Sequence, residues 1–351
     1  MTFETEDRAA LRQSVRDLLA KHSDSAAVRK AIASPDGFDT TLWARLVEQI
    51  GVAALAIPEE FDGVGASLAE THVVLEELGR TLTPSPMLGS TVLAAQLLLL
   101  SGDAEASARL LPGIAAGEVV AVCWASESGW NTPDVTASGD SLTGTAHYVL
   151  GGDVATTLLV LAGDGDSDGV ALFEVDPDAD GVERRRVPTM DPTRSLSQVS
   201  FTAVTGRRLS SPADLVERLT TVALVALSAE QVGAAQAALD LTVEYAKNRK
   251  QFGRVIGSFQ ALKHRMADMY ALVETARSMS YAAALSQDPQ DAYAAKIYCS
   301  EAFEQVAAEA IQLHGGIAIT WEHDAQLYFK RAHGTAQLFG RPHEYLGAVA
   351  H

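Results

Sequence analysis

Two groups of residues in this chain have the types that chemistry needs. The first centres on NRKQFGRVIGSFQ, where Arg249, Phe252 and Gln260 gather around two glycines at what reads as a helix hinge. Gln312-Leu313-His314-Gly315-Gly316 belongs with it. Arginine presents a planar fork of donors suited to phosphate. The paired glycines let backbone approach a ligand with no Cβ in the way. Two glutamines offer donors and acceptors for a ribose, an amide or a purine edge. A plainer reading stands beside this one: the arginines pair with nearby acids at a helix end, and Gly315-Gly316 only stops a helix. The second group is one carboxylate, Glu230, whose helical neighbours Ala226, Leu227, Gly233 and Ala234 are apolar or small. Desolvation there would raise its pKa, which suits a proton acceptor. A buried glutamate satisfied by a local partner is the alternative.

The elements that must position these groups follow from periodicity. Val222 to Tyr270 reads as a long Ala-rich helix, a break at Gly253 to Gly257, and a second, amphipathic helix. Residues 1–118 are mainly helical in pattern, with helices over ETEDRAALRQSVRDLLAKH, TLWARLVEQIGVAAL, SLAETHVVLEELGRTL and STVLAAQLLLLSG. Long helices with short loops suggest a bundle. At Val119 the period changes. VVAVCWAS, DSLTGTAHYVL, TTLLVLAGDG, GVALFEVD and SQVSFTAV are short, rich in Val, Thr, Leu and Phe, and split by Gly, Asp and Pro turns. This predicts an antiparallel β domain over 119–210. The helical period then returns, predicting a C-terminal helical bundle over 211–351. The expected fold class is α+β.

Composition narrows the function. At 351 residues and 47% hydrophobic content, the chain can bury a large core divided into two or three domains. A formal charge of −18 argues against nucleic acid, which needs a basic face. An anionic ligand must therefore be met by local arginines and helix ends. Cys123 and Cys299 lack metal-ligand spacing and suggest a reducing compartment. The N-terminal residues are charged without an apolar signal core, and the longest apolar runs fall short of a membrane span. The expectation is a cytoplasmic protein without a membrane partner.

Three stretches resemble the acyl-CoA dehydrogenase family: IPEEFDGVGASLAETHVVLEELGRTL, YAKNRKQFGRVIGSFQALKHRMADM and IQLHGGIAITWEHDAQLYFKRA. The resemblance covers nearly the whole chain and implies a flavoprotein of helix–strand–helix architecture. FAD would lie between the β domain of one subunit and the C-terminal helices of its dimer partner. Arg249, Phe252, Gln260 and Gln312, Leu313, His314, Gly315 and Gly316 would then meet the pyrophosphate and adenosine half. An acyl-CoA substrate and an electron-transfer flavoprotein as electron acceptor are implied in the same way.

The reaction needs a carboxylate base, donors on the thioester oxygen and a wall against the flavin. In most of the family the base is a Glu followed by Gly-Thr; the alignment places Phe339-Gly340 there. A subgroup's earlier base position falls near Ala223. Ala125 and Leu150 stand where hydroxyl-bearing flavin contacts are expected, and Thr221 and Leu224 where Asp and Arg meet the substrate. Trp124 and Trp130 could stack on a flat ring or pack in a core. Two enzymatic readings follow. In the first, the chain is one half of a heteromeric acyl-CoA dehydrogenase whose partner supplies the base; its short end after Phe339 resembles subunits of actinobacterial steroid side-chain dehydrogenases. In the second, it is a homo-oligomer with Glu230 as relocated base. A flavin-free structural subunit is the third possibility. His264 and Arg265 read as solvent or subunit contacts, His314 as a helix cap, and Glu322-His323-Asp324 as a turn. His333, His343 and His351 lack metal spacing.

Overall fold

In this computed structural model residues 3–165 and 169–349 are described. Among the described residues the N-terminal part holds six α-helices: α1 (Glu6–His22), α2 (Ser25–Ile32), α3 (Thr40–Arg45), α4 (Leu68–Thr81), α5 (Ala95–Ser101) and α6 (Ala104–Ala115). Thr5 caps α1, with Glu6 and Asp7 in the first turn favouring the positive end of the helix dipole. Ser67 and Glu70 form a reciprocal capping box on α4. Two expected helices have different limits. TLWARLVEQI passes from α3 into a wider π turn, Leu46–Ile50, and stops at Gly51 in the left-handed region. STVLAAQLLLL starts earlier, as a π segment from Met87 to Ala94 that runs into α5.

Eight strands follow: β1 (Val120–Cys123), β2 (Thr136–Ser138), β3 (Ser141–Leu150), β4 (Thr157–Asp164), β5 (Val170–Val175), β6 (Val182–Val187), β7 (Leu196–Thr205) and β8 (Arg207–Leu209). They form one sheet in the order β6-β7-β3-β2-β4-β5-β8, with β1 beside β4. Most neighbours are antiparallel as expected, but β1 and β2 both run parallel to β4, so the sheet is mixed. Strands β2, β6 and β8 carry no apolar alternation; β6 reads VERRRV and is half-exposed along its length. Pairing, not local pattern, makes it a strand.

The helical period returns with α7 (Leu215–Asn248), a short hairpin of β9 (Lys250–Gln251) and β10 (Arg254–Val255), then α8 (Gln260–Ser286), α9 (Pro289–His314), α10 (Ala325–Gln337) and α11 (Leu346–Val349). By length and composition α7 alone passes as a membrane span among the described residues, against the sequence expectation. Its most apolar window is 89% buried in the protein, so α7 is the axis of the bundle. It packs on α4, α8, α9 and α10. Gly79 and Gly233 permit its crossing with α4: a Cβ on Gly79 would lie 2.2 Å from the Glu230 carbonyl oxygen, and one on Gly233 1.9 Å from that of Glu76. One apolar core joins the N-terminal helices, α7 and the inner face of β1 and β4. A second fills the other side of the sheet.

Candidate functional site

Glu230 is carried by α7 into a junction of three layers and is buried. Its one-turn neighbours are apolar, as the sequence indicates, but its surroundings are not. Arg194 pairs with its carboxylate, and Arg331 Nη1 from α10 lies 3.5 Å away. Arg331 also meets Asp191 Oδ2 at 2.8 Å and donates to Thr193 Oγ1 at 2.7 Å. Burial lowers the Arg331 pKa, opposed by Asp191 and Glu230. The expectation of a carboxylate desolvated among apolar groups is therefore corrected: two guanidiniums share it. The adjoining cavity, bounded by Pro86, Leu150, Arg194 and Glu230, holds about 50 Å³, enough for a few waters and too little for an acyl thioester. Arg194, Arg331, Asp191 and Thr193 are the residues that sequence reasoning missed. They lie 36 positions before and 101 positions after Glu230, or on the turn MDPTR, beyond any periodic window.

At the expected base position Phe339 is fully buried with φ 60°. Its ring stacks on Trp124 (5.9 Å, 24°) and meets Trp130 edge-on (4.9 Å, 69°). The two tryptophans also contact each other at 5.4 Å. These aromatics thus fill a common core. Ala223, Thr221 and Leu224 are buried in α7. Ala125 is bridged to His147 of β3, the strand that ends at Leu150.

Beyond this aromatic cluster opens a cleft of about 920 Å³ between the sheet and α10. Trp130, His147, Tyr148, Met190, His333 and Arg341 are on its walls. Tyr148 is held at φ 53°, with its hydroxyl donating to the Glu127 carbonyl. The cleft's carboxylates, Glu127 and Glu344, are both exposed.

The hinge residues are elsewhere. Helix α7 ends at Asn248 and Arg249 is extended and exposed, with no ion pair among the described residues. Phe252 and Gly253 form the hairpin turn at φ 53° and 77°, which leaves Phe252 90% exposed. Arg254 stacks on Phe259 at 4.0 Å. Gln260, Gln312, Gly315 and Gly316 are exposed, and neither glycine has another atom within 4 Å of where a Cβ would stand. Leu313 and His314 are buried; His314 Nδ1 is 2.7 Å from the Ala310 carbonyl oxygen, and its ring packs on Tyr245. None of these residues lines the cleft. Exposed apolar side chains at Ile317, Ile319 and Trp321 follow the glycine pair.

His264 is exposed, while Arg265 pairs with Glu309 at 2.6 Å. His333 meets Glu304 at 3.0 Å, His343 is exposed, and His351 lies outside the described residues. Asp324, in the expected turn, pairs with Arg29 at 2.7 Å. No group of three or more metal-ligating side chains occurs among the described residues. Cys123 and Cys299 are buried free thiols.

With this geometry in view, comparison with known proteins is specific. The acyl-CoA dehydrogenase N-terminal domain matches residues 5–118 and the C-terminal domain residues 216–342. The chain is 45% identical over 344 residues to the acyl-CoA dehydrogenase IpdE2 of Mycobacterium tuberculosis, covering 97% of this chain and 95% of that one. Among solved structures it resembles the ChsE4–ChsE5 complex from Mycobacterium tuberculosis (TM-score 0.91, 29% identity, 100% of this chain and 98% of that chain). It also resembles the Tcur3481–Tcur3483 steroid ACAD (TM-score 0.90, 30% identity, 98% and 97%). The chain belongs to the acyl-CoA dehydrogenase family and is an oxidoreductase of that class. FAD is the cofactor this family implies. The residues present fit it: Arg249 has a free guanidinium fork, Gly315-Gly316 offers bare backbone, and the cleft has room for a flat ring system.

Proposed function

We propose that this chain is one subunit of a heteromeric, FAD-dependent acyl-CoA dehydrogenase that acts in the cytoplasm on an acyl-CoA thioester. Its partner is a homologous subunit that supplies the catalytic carboxylate. Bound FAD would supply the hydride acceptor for α,β-dehydrogenation of the thioester, with an electron-transfer flavoprotein as the onward electron acceptor. The observation that carries this reading is Phe339. It occupies the expected base position, packed against Trp124 and Trp130 where no proton can be accepted. Glu230, the relocated base of the homo-oligomeric reading, is shared by Arg194 and Arg331 instead.

The chain's own contribution is to bind and orient. Arg249 would hold the pyrophosphate through a charge-assisted fork. Gln260, Gln312, Phe252 and the backbone of Leu313 to Gly316 would hold the adenosine half. All of these would act on a cofactor seated in the neighbouring subunit, which accords with the exposure of Arg249, Phe252, Gln260, Gln312, Gly315 and Gly316 and with none of them lining this chain's cleft. The similar Tcur3481–Tcur3483 protein is a steroid ACAD, which supports a steroid-derived acyl group, and the similar ChsE4–ChsE5 protein is a complex, which supports a heteromer.

The visible spectrum of the purified chain tests the proposal. The chain alone is expected to be colourless and to turn yellow when co-purified with a homologous partner. One FAD per chain, together with acyl-CoA oxidation by the chain alone, would refute the heteromer.

A further inference from the structure

Lys296 lies in the deep interior with no exposed surface. Isolated lysines are almost never buried this way. Its ammonium donates to three backbone carbonyls at the end of α10: Thr335 (3.1 Å), Ala336 (3.1 Å) and Leu338 (2.8 Å). Those carbonyls belong to the C-terminal turn, where the usual i+4 N–H donor is missing; that of Thr335 also accepts from the Leu338 N–H at 3.2 Å. Burial pushes the ammonium pKa down to about 7, while Glu304 and Glu344 favour the charged form. The chain then turns sharply, with Phe339 at φ 60° and Gly340 at φ 98°. A left-handed phenylalanine persists only where its surroundings over-determine it. Here the Tyr345 hydroxyl donates to the Phe339 carbonyl, and Tyr345 stacks on Tyr293 at 5.2 Å. Tyr293 and Lys296 lie three residues apart on α9, so one helix face holds the turn from both sides.

We propose that Lys296 is a positioning residue: it fixes the Leu338–Gly340 turn so that Phe339 seals the end of the cleft against Trp124 and Trp130. Leu338, Gly340 and Arg341 line that cleft, so the turn sets the shape of one wall. The consequence for cofactor binding rests on reading the cleft as part of a flavoprotein site.

The test uses the assembled, FAD-supplemented protein with Lys296→Met and Tyr345→Phe. Two quantities are read in each: tryptophan emission with acrylamide quenching, and the dissociation constant for FAD. In Lys296→Met the emission shifts to the red, quenching rises, and FAD binds about tenfold more weakly, as expected for a lost charged hydrogen bond. Tyr345→Phe moves both in the same direction by less. If Lys296→Met does not fold, Tyr345→Phe decides. A lower Tm with unchanged emission and FAD affinity in the folded variants makes Lys296 a helix cap only and overturns the proposal. Failure of the wild type to bind FAD overturns the cofactor reading and the predicted effect on FAD, while the emission still judges whether Lys296 holds the seal.

Discussion

At the scale of single residues, the charge centre around Glu230 decides what that glutamate can do. Arg331, buried, and Arg194, half-buried, both face it, and Arg331 also serves Asp191. Removing one member of such a cluster leaves a guanidinium without its counter-ion, a loss of about 3–5 kcal/mol in comparable buried pairs. Glu230→Gln is therefore expected to lower the thermal midpoint while leaving turnover per folded complex unchanged; abolished turnover at unchanged stability would make Glu230 the base after all. Arg249 behaves oppositely. It is exposed and unpaired among the described residues, so Arg249→Ala should leave the midpoint alone and weaken FAD retention. Equal FAD content in the variant would remove Arg249 from the cofactor site.

At the scale of elements, the crossing of α4 and α7 positions both the core and the charge centre. Gly79 and Gly233 put backbone against backbone there, with carbonyl oxygens about where a Cβ would have to go. Gly233→Ala should force the helices apart, at a cost of about 1–3 kcal/mol or more. A thermal midpoint within error of wild type would show that the crossing relaxes freely. Beside this crossing, the Glu76 carboxylate accepts from Arg12 and Arg277 and from the Tyr281 hydroxyl, which ties α1, α4 and α8 together.

At the scale of the whole molecule, burial makes folding sensitive to acid. His72 is deep in the core, 3.0 Å from Ser280 Oγ, and burial, with Arg12 and Arg8 nearby, pushes its pKa down from 6.5 to about 3. Its folded pKa is depressed, so the unfolded chain binds the proton first. Its stabilising effect is complete above about pH 6.5 and is lost as pH falls toward 3, by about 1.4 kcal/mol per pH unit. Urea midpoints between pH 6.5 and 5 should fall more steeply in the wild type than in His72→Gln. Parallel slopes would show that other groups govern the acid limb.

Much of the architecture was legible in local pattern. Helical periodicity, caps such as Ser67 and a shift to short β-branched runs after Val119 are local properties, and local properties are written in consecutive residues. Strands β2 and β6 were not legible, because their pairing partners rather than their own alternation define them. Near the proposed site, sequence alone located the break between α7 and α8 around Gly253 to Gly257, because glycines interrupt a helix locally. Only the tertiary structure decided the meaning of Glu230 and Phe339. Glu230's apolar helical neighbours are real, yet its partners come from 36 and 101 residues away, and Coulomb interactions follow distance in space rather than along the chain. Phe339 became a seal only when folding brought Trp124, Trp130 and Lys296 around one turn.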